Sequence, residues 1–275
     1  MIKKFTFLLF TFYFSVMAFL MAGDGNFING SRSAAIGGAS STYADLWAAY
    51  NNQAGLARLK GLAIGLTYES RFMVPELGTS GMAVALPTKK SGVFALSISY
   101  FGYTLYNEKK IGLAYARAFG DKVSAGIQLD YLSTHLAEDY GDRNTLTVEA
   151  GLQATLLKDL VIAAHVFNPT RAKLAEYDDE RIPTTLKIGL GYTISGKVIV
   201  SLESEKNLEE KNIVKAGIEY HIAKVLYLRT GLSTNPGMYS FGFGLALDKL
   251  DIDMVSTYHQ VLGFSPQITL AYRFK

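Results

Sequence analysis

Gly61-Leu62-Ala63-Ile64-Gly65-Leu66-Thr67-Tyr68 decides the reading of this chain. Leu62, Ile64, Leu66 and Tyr68 are large and apolar, and the residues between them are Gly, Ala and Thr. Successive side chains of an extended strand point to opposite faces, so the stretch is a strand with one greasy face and one small or polar face. The same period of two returns at 81–86, 94–100, 111–116, 123–136, 145–157, 160–168, 184–194, 197–205, 212–222, 225–233, 238–247, 250–258 and 266–274, fourteen segments in all. Many of them run to about ten residues, which suits a strand crossing a bilayer, whereas soluble strands average about 5–6.

The connectors add a second signal. Pro87–Gly92, Gly120–Lys122, Lys158-Asp159, Ser195–Lys197, Ala223-Lys224 and Asp248-Lys249 are tight. The alternate set, 70–77, 138–144, 169–183, 206–211, 234–237 and 259–265, is mostly longer, with a short connector expected near Tyr106–Lys109. Short turns at one end and longer loops at the other characterise outer-membrane barrels, whereas a soluble sandwich has no reason to sort them. In hydrocarbon every backbone group must be paired, so a spanning sheet must close. The expected fold is therefore all-β: a fourteen-stranded antiparallel transmembrane barrel. Tyr68, Tyr100, Tyr192, Tyr220, Tyr258 and Tyr272 fall near strand ends on the apolar face, as an aromatic girdle requires.

Composition agrees. The 275 residues are 49% hydrophobic, 12% aromatic and only 19% charged, with 26 Gly, 17 Tyr, 16 Phe, one Trp and a net charge of +3. That excludes a disordered chain. The absence of cysteine excludes a disulfide scaffold, thiolate metal sites and cysteine nucleophiles. A pI near 8.8 without a basic cluster gives no support to nucleic-acid binding. Residues 1–22 read as a secretory signal peptide: Lys3 and Lys4 precede an apolar run from Phe5 to Ala22, with cleavage near Ala18 or at Ala22–Gly23. A retained anchor is the alternative. The expected division is a signal peptide at 1–22, a plug inside the lumen at 23–59, and the barrel at 60–275, located in the outer membrane and surrounded by its lipid.

Catalytic patterns are missing from the sequence. His135, His165, His221 and His259 lie in four separate segments without metal-ligand spacing, and no Gly-x-Ser-x-Gly elbow or phosphate loop occurs. Asp130 and His135 share a strand but face opposite sides. Asp178-Asp179-Glu180 and Glu138-Asp139 read as solvated loops. No enzyme activity, cofactor or metal is expected. The small-residue face instead carries Glu69, Asp130, Glu149, Lys187, Glu203, Lys215, Glu219, Arg229, Asp251 and Asp253, expected to line the lumen. Pairings across adjacent strands are expected between Lys187 and Glu203, and within the group Lys215, Arg229 and Glu203.

Residues 24–59 lack the period of two. They contain Gly30-Ser31-Arg32-Ser33-Ala34-Ala35-Ile36-Gly37-Gly38-Ala39, then Asp45, Trp47 and Asn51-Asn52-Gln53-Ala54-Gly55-Leu56. A short helix is expected near 44–50, within a compact segment held inside the barrel. Arg32 would need a carboxylate there, with Glu69, Glu149 and Glu219 as candidates, and Trp47 would fill space left by lumenal Gly and Ala. Together with Asp45, Asn51, Asn52 and Gly55 these are the expected plug residues.

This stretch resembles the N-terminal region of long-chain fatty-acid transporter (FadL-like) barrels, and more closely that of their PorV/PorQ relatives, associated with type IX secretion. The resemblance implies fourteen strands and an N-terminal segment in the lumen. Its specific motif covers residues 30–57, with Gln53 where the family usually has proline. The final strand, with Leu270, Tyr272 and Phe274 on one face, resembles the signal by which outer-membrane barrels are recognised for insertion; Lys275 after Phe274 is a departure. The aromatic at position 72 lies outside that signal. Two functions follow as expectations. The first is an accessory barrel that docks exported proteins or other subunits of an outer-membrane secretion or assembly complex. The alternative is passage or binding of a hydrophobic small molecule.

Overall fold

The computed structural model describes residues 30–88, 90–137, 141–173, 181–208 and 210–274. The signal-peptide reading and the acidic stretches Asp178-Asp179-Glu180 and Glu138-Asp139 fall outside the described residues.

Fourteen strands form one closed sheet. They are β1 (Ala63–Ser70), β2 (Gly78–Thr88), β3 (Gly92–Gly102), β4 (Tyr106–Phe119), β5 (Val123–Leu136), β6 (Gly141–Leu157) and β7 (Leu160–Phe167). The second half comprises β8 (Thr185–Ile194), β9 (Val198–Asn207), β10 (Ile213–His221), β11 (Leu226–Ser233), β12 (Met238–Ala246), β13 (Leu250–His259) and β14 (Gly263–Arg273). Each strand pairs antiparallel with its sequence neighbours, and β1 closes the ring on β14 with Ala63 opposite Arg273.

The usual distribution of apolar side chains is inverted. Leu66, Ile127 and Ile188 are 55%, 61% and 69% exposed on the outer wall, while Asp130 and Glu219 are fully buried within. Such a surface is stable only in hydrocarbon, since a contiguous apolar belt of this extent would drive association in water. The tyrosines lie outward near both ends: Tyr68 and Tyr258 near the loop end, Tyr192, Tyr220 and Tyr272 near the turn end.

Several connectors differ from expectation. Tyr106–Lys109 belongs to β4, and the connector there is 103–105. Residues 141–144 extend β6 outward, paired with the end of β5 as far as Gly141 opposite Leu136. The expected loop 259–265 shrinks to 260–262, because Gly263 pairs with His259 with its φ at +88°. Polar and glycine residues masked these strand ends in the sequence, where ladder pairing outside the membrane carries no hydrophobic mark.

The described N-terminal residues run through the lumen. Ser31–Ala35 and Ala48–Asn51 are helical turns, and Gln53–Arg58 is a 3-10 turn. The expected helix near 44–50 is thus displaced, and the turn at Ser31–Ala35 was not anticipated. Leu46, Trp47, Ala48, Ala49, Tyr50 and Leu56 form a core with wall residues including Ala63, Ala83, Ala95, Ala114, Ala116 and Ala271. The inner wall is small so that the segment can be large. At Gly231 an added Cβ would lie 2.1 Å from the Ile36 carbonyl carbon and the Gly37 nitrogen. Real Cβ atoms do not tolerate such approach to backbone, so only glycine admits the segment there.

Candidate functional site

The lumenal segment is seated by hydrogen bonds to the wall at several heights. Ser31 N donates to Thr269 Oγ1 at 2.8 Å. The Tyr50 hydroxyl lies 2.6 Å from Met82 O and accepts from Ile98 N at 3.2 Å. Gln153 Nε2 donates to Ser41 O at 2.8 Å and to Tyr43 O at 3.1 Å. Within the segment, Asn51 Nδ2 donates to Ser33 Oγ at 2.7 Å, and Asn52 Nδ2 to Ser41 O at 2.9 Å. Asn52 Oδ1 also accepts from Ala54 N at 3.2 Å, capping the 3-10 turn. Gly55 passes so close to Tyr43 O that a Cβ would stand 2.2 Å from it. The ring of Trp47 packs over Gly65, 6.1 Å between centroids from Tyr50.

On the turn side of the segment lies a network of arginines and carboxylates. Arg32 Nε and Nη2 donate to Glu219 Oε2 and Oε1 at 2.8 and 2.7 Å, and Nη1 donates to Asp45 Oδ2 at 3.1 Å. The same guanidinium lies 4.3 Å from the centre of the Tyr43 ring. Glu219 also accepts from Arg229 Nε at 2.6 Å and lies 2.8 Å from His221 Nε2, and Arg229 pairs with Asp253. Of the three candidate partners of Arg32, the structure selects Glu219. Glu149 belongs elsewhere, and Glu69 lies 3.8 Å from Arg71.

On the loop side a second network surrounds Glu149. It pairs with Lys110, accepts from Gln53 Nε2 at 2.6 Å and lies 2.8 Å from His165 Nε2. Asp130 lies 3.7 Å from Lys110. Gln53 therefore ties the segment to the wall. Farther round, Lys187 lies 3.6 Å from Glu205, and Lys215 lies 2.5 Å from Glu205 and 3.4 Å from Glu203. Glu203 Oε2 accepts from Ser41 N at 2.9 Å.

Two expected pairings are corrected. Lys187 stands opposite Glu205, and Glu203 opposite Gly189, because the turn Ser195–Lys197 sets Ile194 against Val198. Arg229 stands opposite Glu219, away from Lys215. Lys110, His165 and Glu205 were missed by the sequence reading. Glu205 shares the parity of Glu203, and Lys110 that of Gly112, so alternation marked both.

Leu270, Tyr272 and Phe274 lie outward on or just beyond β14 and take no part in the lumen. Phe72 belongs to the β1–β2 connector at the loop end. Phe72 sits there at φ +55°, its backbone N donating to Ser265 Oγ at 2.9 Å and its ring edge-on to His259 at 5.9 Å. It touches the start of β14, whereas Tyr272 and Phe274 end that strand at the opposite rim, so it has no share in the terminal aromatic pattern.

Between the turn-side network and the end of the barrel lies a cavity of about 310 Å³. Trp47, Leu46, Leu59 and Leu245 supply an apolar wall, and Arg32, Glu219, Asp251 and Arg273 a charged one. Such a space can receive a small amphipathic or apolar molecule.

This closed barrel recurs in solved structures. The fold is that of the FadL-type barrels. The chain aligns over 89% of its length with 97% of the monoaromatic hydrocarbon channel CymD, at TM-score 0.67 and 13% identity. It aligns over 90% of its length with 98% of the Ralstonia pickettii toluene transporter TbuX, at TM-score 0.68 and 12% identity. A Pseudomonas aeruginosa FadL homologue gives TM-score 0.65 and 11% identity, with 90% of this chain and 98% of that one covered. No protein-family model matches the sequence, and the comparison with curated proteins gives no match. At these identities the likeness is one of FadL-type fold.

Proposed function

We propose that this chain is an outer-membrane barrel that binds hydrophobic small molecules and lets them pass, with residues 30–59 closing the lumen. The observation that carries the reading is the cavity under Trp47, apolar on one side and bounded on the other by the Arg32–Glu219 network. A FadL-type wall around it, shared with proteins named as hydrocarbon channels and toluene transporters, supports the same substrate class. In this reading Arg32, Asp45, Asn51, Asn52 and Gly55 hold the plug in shape, and Trp47 faces the ligand. Glu149 and Glu203 anchor the plug to the wall through Gln53 and Ser41; Lys187, Lys215 and Arg229 hold the wall carboxylates around it, and Glu69 lies beside Arg71 at the loop end.

The docking role suggested by the PorV/PorQ resemblance is the second reading. It is favoured by the closeness of fit between Ile36-Gly37 and Gly231, which suits a segment that never moves. Uptake of a radiolabelled monoaromatic hydrocarbon by cells carrying the wild type or Trp47→Ala separates the two. Passage requires faster uptake with the wild type and a loss on substitution. Unchanged uptake, together with a stoichiometric protein partner that Trp47→Ala sheds, would establish docking instead.

A further inference from the structure

Each of the six short turns carries at least one lysine: Lys90, Lys122, Lys158, Lys197, Lys224 and Lys249. The turns are spaced around the whole rim, since the fourteen strands run in unbroken sequence order. Three of the lysines have an aspartate neighbour in the turn (Asp121, Asp159, Asp248); the turns of Lys90, Lys197 and Lys224 carry no acid. The opposite end carries both signs: its described connector residues include Glu76 and Glu210 but also Arg71, Arg171, Lys173, Arg181 and Lys211. A lysine in every connector is particular to the turn-side rim.

Depth identifies what the basic rim meets. Lys158 directly follows Leu157, which is 65% exposed on the outer wall, and Lys122 directly precedes Val123, 41% exposed. At about 3.3 Å per residue, ammonium groups one or two residues beyond the lipid-facing band stand at headgroup depth. Arg117 lies on the outward face of β4 between Tyr115 and Phe119, at the same level and facing the bilayer. None of the six lysines is held in an ion pair among the described residues. Turns this short cannot reach a polymer or protein far beyond the headgroups.

We infer that the turn-side rim is an annular binding surface for anionic phospholipid, in which the lysines contact headgroup phosphates of that leaflet. The inference rests on the membrane-spanning fold and is independent of what the barrel passes. Lysines near an anionic lipid surface each contribute modestly, but a ring acts on every surrounding lipid and selects leaflet composition.

The full-length protein, refolded into phosphatidylcholine vesicles with or without roughly 20% phosphatidylglycerol, tests it. The readout is the midpoint of the heat-dependent mobility shift on a denaturing gel. Phosphatidylglycerol should raise the wild-type midpoint. The rise should vanish when all six lysines are changed to Gln and persist in an Arg143→Gln/Lys211→Gln variant altered at the other rim. An equal rise in the six-fold variant, or none in the wild type, overturns the inference. Salt-sensitive retention of the wild type on isolated peptidoglycan, without a lipid effect, would also overturn it by assigning the ring to that polymer. If the six-fold variant does not refold, the wild type still decides. Its phosphatidylglycerol effect should fade between about 50 mM and about 1 M salt as screening shortens to a few ångströms, and a salt-independent effect rejects phosphate contact.

Discussion

Arg32 and Glu219 meet across the lumen through two parallel hydrogen bonds of 2.8 and 2.7 Å, the fork of a guanidinium set against both oxygens of a carboxylate. This geometry is the strong form of an ion pair. It joins a residue of the lumenal segment to β10, so segment and barrel are held by charge as well as by packing. Glu219 is the shared acceptor for Arg32 and Arg229, and the two substitutions are therefore unequal.

Glu219→Gln should destabilise the barrel more than Arg32→Gln. Loss of the carboxylate weakens two guanidiniums at once, leaving Arg32 with Asp45 alone and Arg229 with Asp253 alone, whereas loss of Arg32 leaves Glu219 with Arg229 and His221. Breaking a buried pair by removing one partner costs about 3–5 kcal/mol, and the upper part of that range is expected for Glu219→Gln. Urea unfolding in micelles, followed by Trp47 fluorescence, measures both. Equal costs would mean that the Arg229 contact contributes little.

Residues 30–57 should act as the barrier to water-soluble solutes. A variant lacking them should show stepwise conductance in planar bilayers where the wild type is silent. A folded but silent deletion variant would show that the wall closes without the segment.

Gly231→Ala should loosen the segment, because the new Cβ would stand 2.1 Å from segment backbone, which cannot give way as a side-chain tip would. Gly237→Ala, whose nearest neighbour is the Gln260 amide at 3.7 Å, should be neutral. Proteolysis within 30–57 and bilayer leak should both rise for the first variant only. Matching behaviour of the two would place the segment elsewhere.

Sidedness follows from the unequal connectors. Tags inserted in 169–183 or between strands β5 and β6 at 138–140 should be reachable by antibody on intact cells, and a tag at Asp248-Lys249 should not. The reverse labelling would invert the barrel.

Strand number and the identity of the two faces were legible in the order of residues. Leu62, Ile64, Leu66 and Tyr68 declare the bilayer side of β1 because side chains alternate along any strand, a covalent consequence independent of the rest of the fold. Strand ends were less legible. Beyond the hydrocarbon, residues 141–144 remain in the ladder for backbone hydrogen bonds alone, which leave no hydrophobic trace.

By itself, the sequence determined that the chain crosses a bilayer with fourteen strands and which residues face inward, and it set residues 24–59 apart as a stretch without the period of two. Only the tertiary structure decided which charges meet. Lys187 joins Glu205 in place of Glu203 because partners are set by inter-strand register, and register depends on turn geometry and ring closure. Arg32 found Glu219 in preference to Glu149 because the segment's position is fixed by glycines scattered over distant strands, Gly65, Gly151, Gly217 and Gly231. Parity is a property of neighbours in the chain, and can be read along it. Pairing inside a closed wall is a property of residues far apart in sequence, and exists only once the ring has formed.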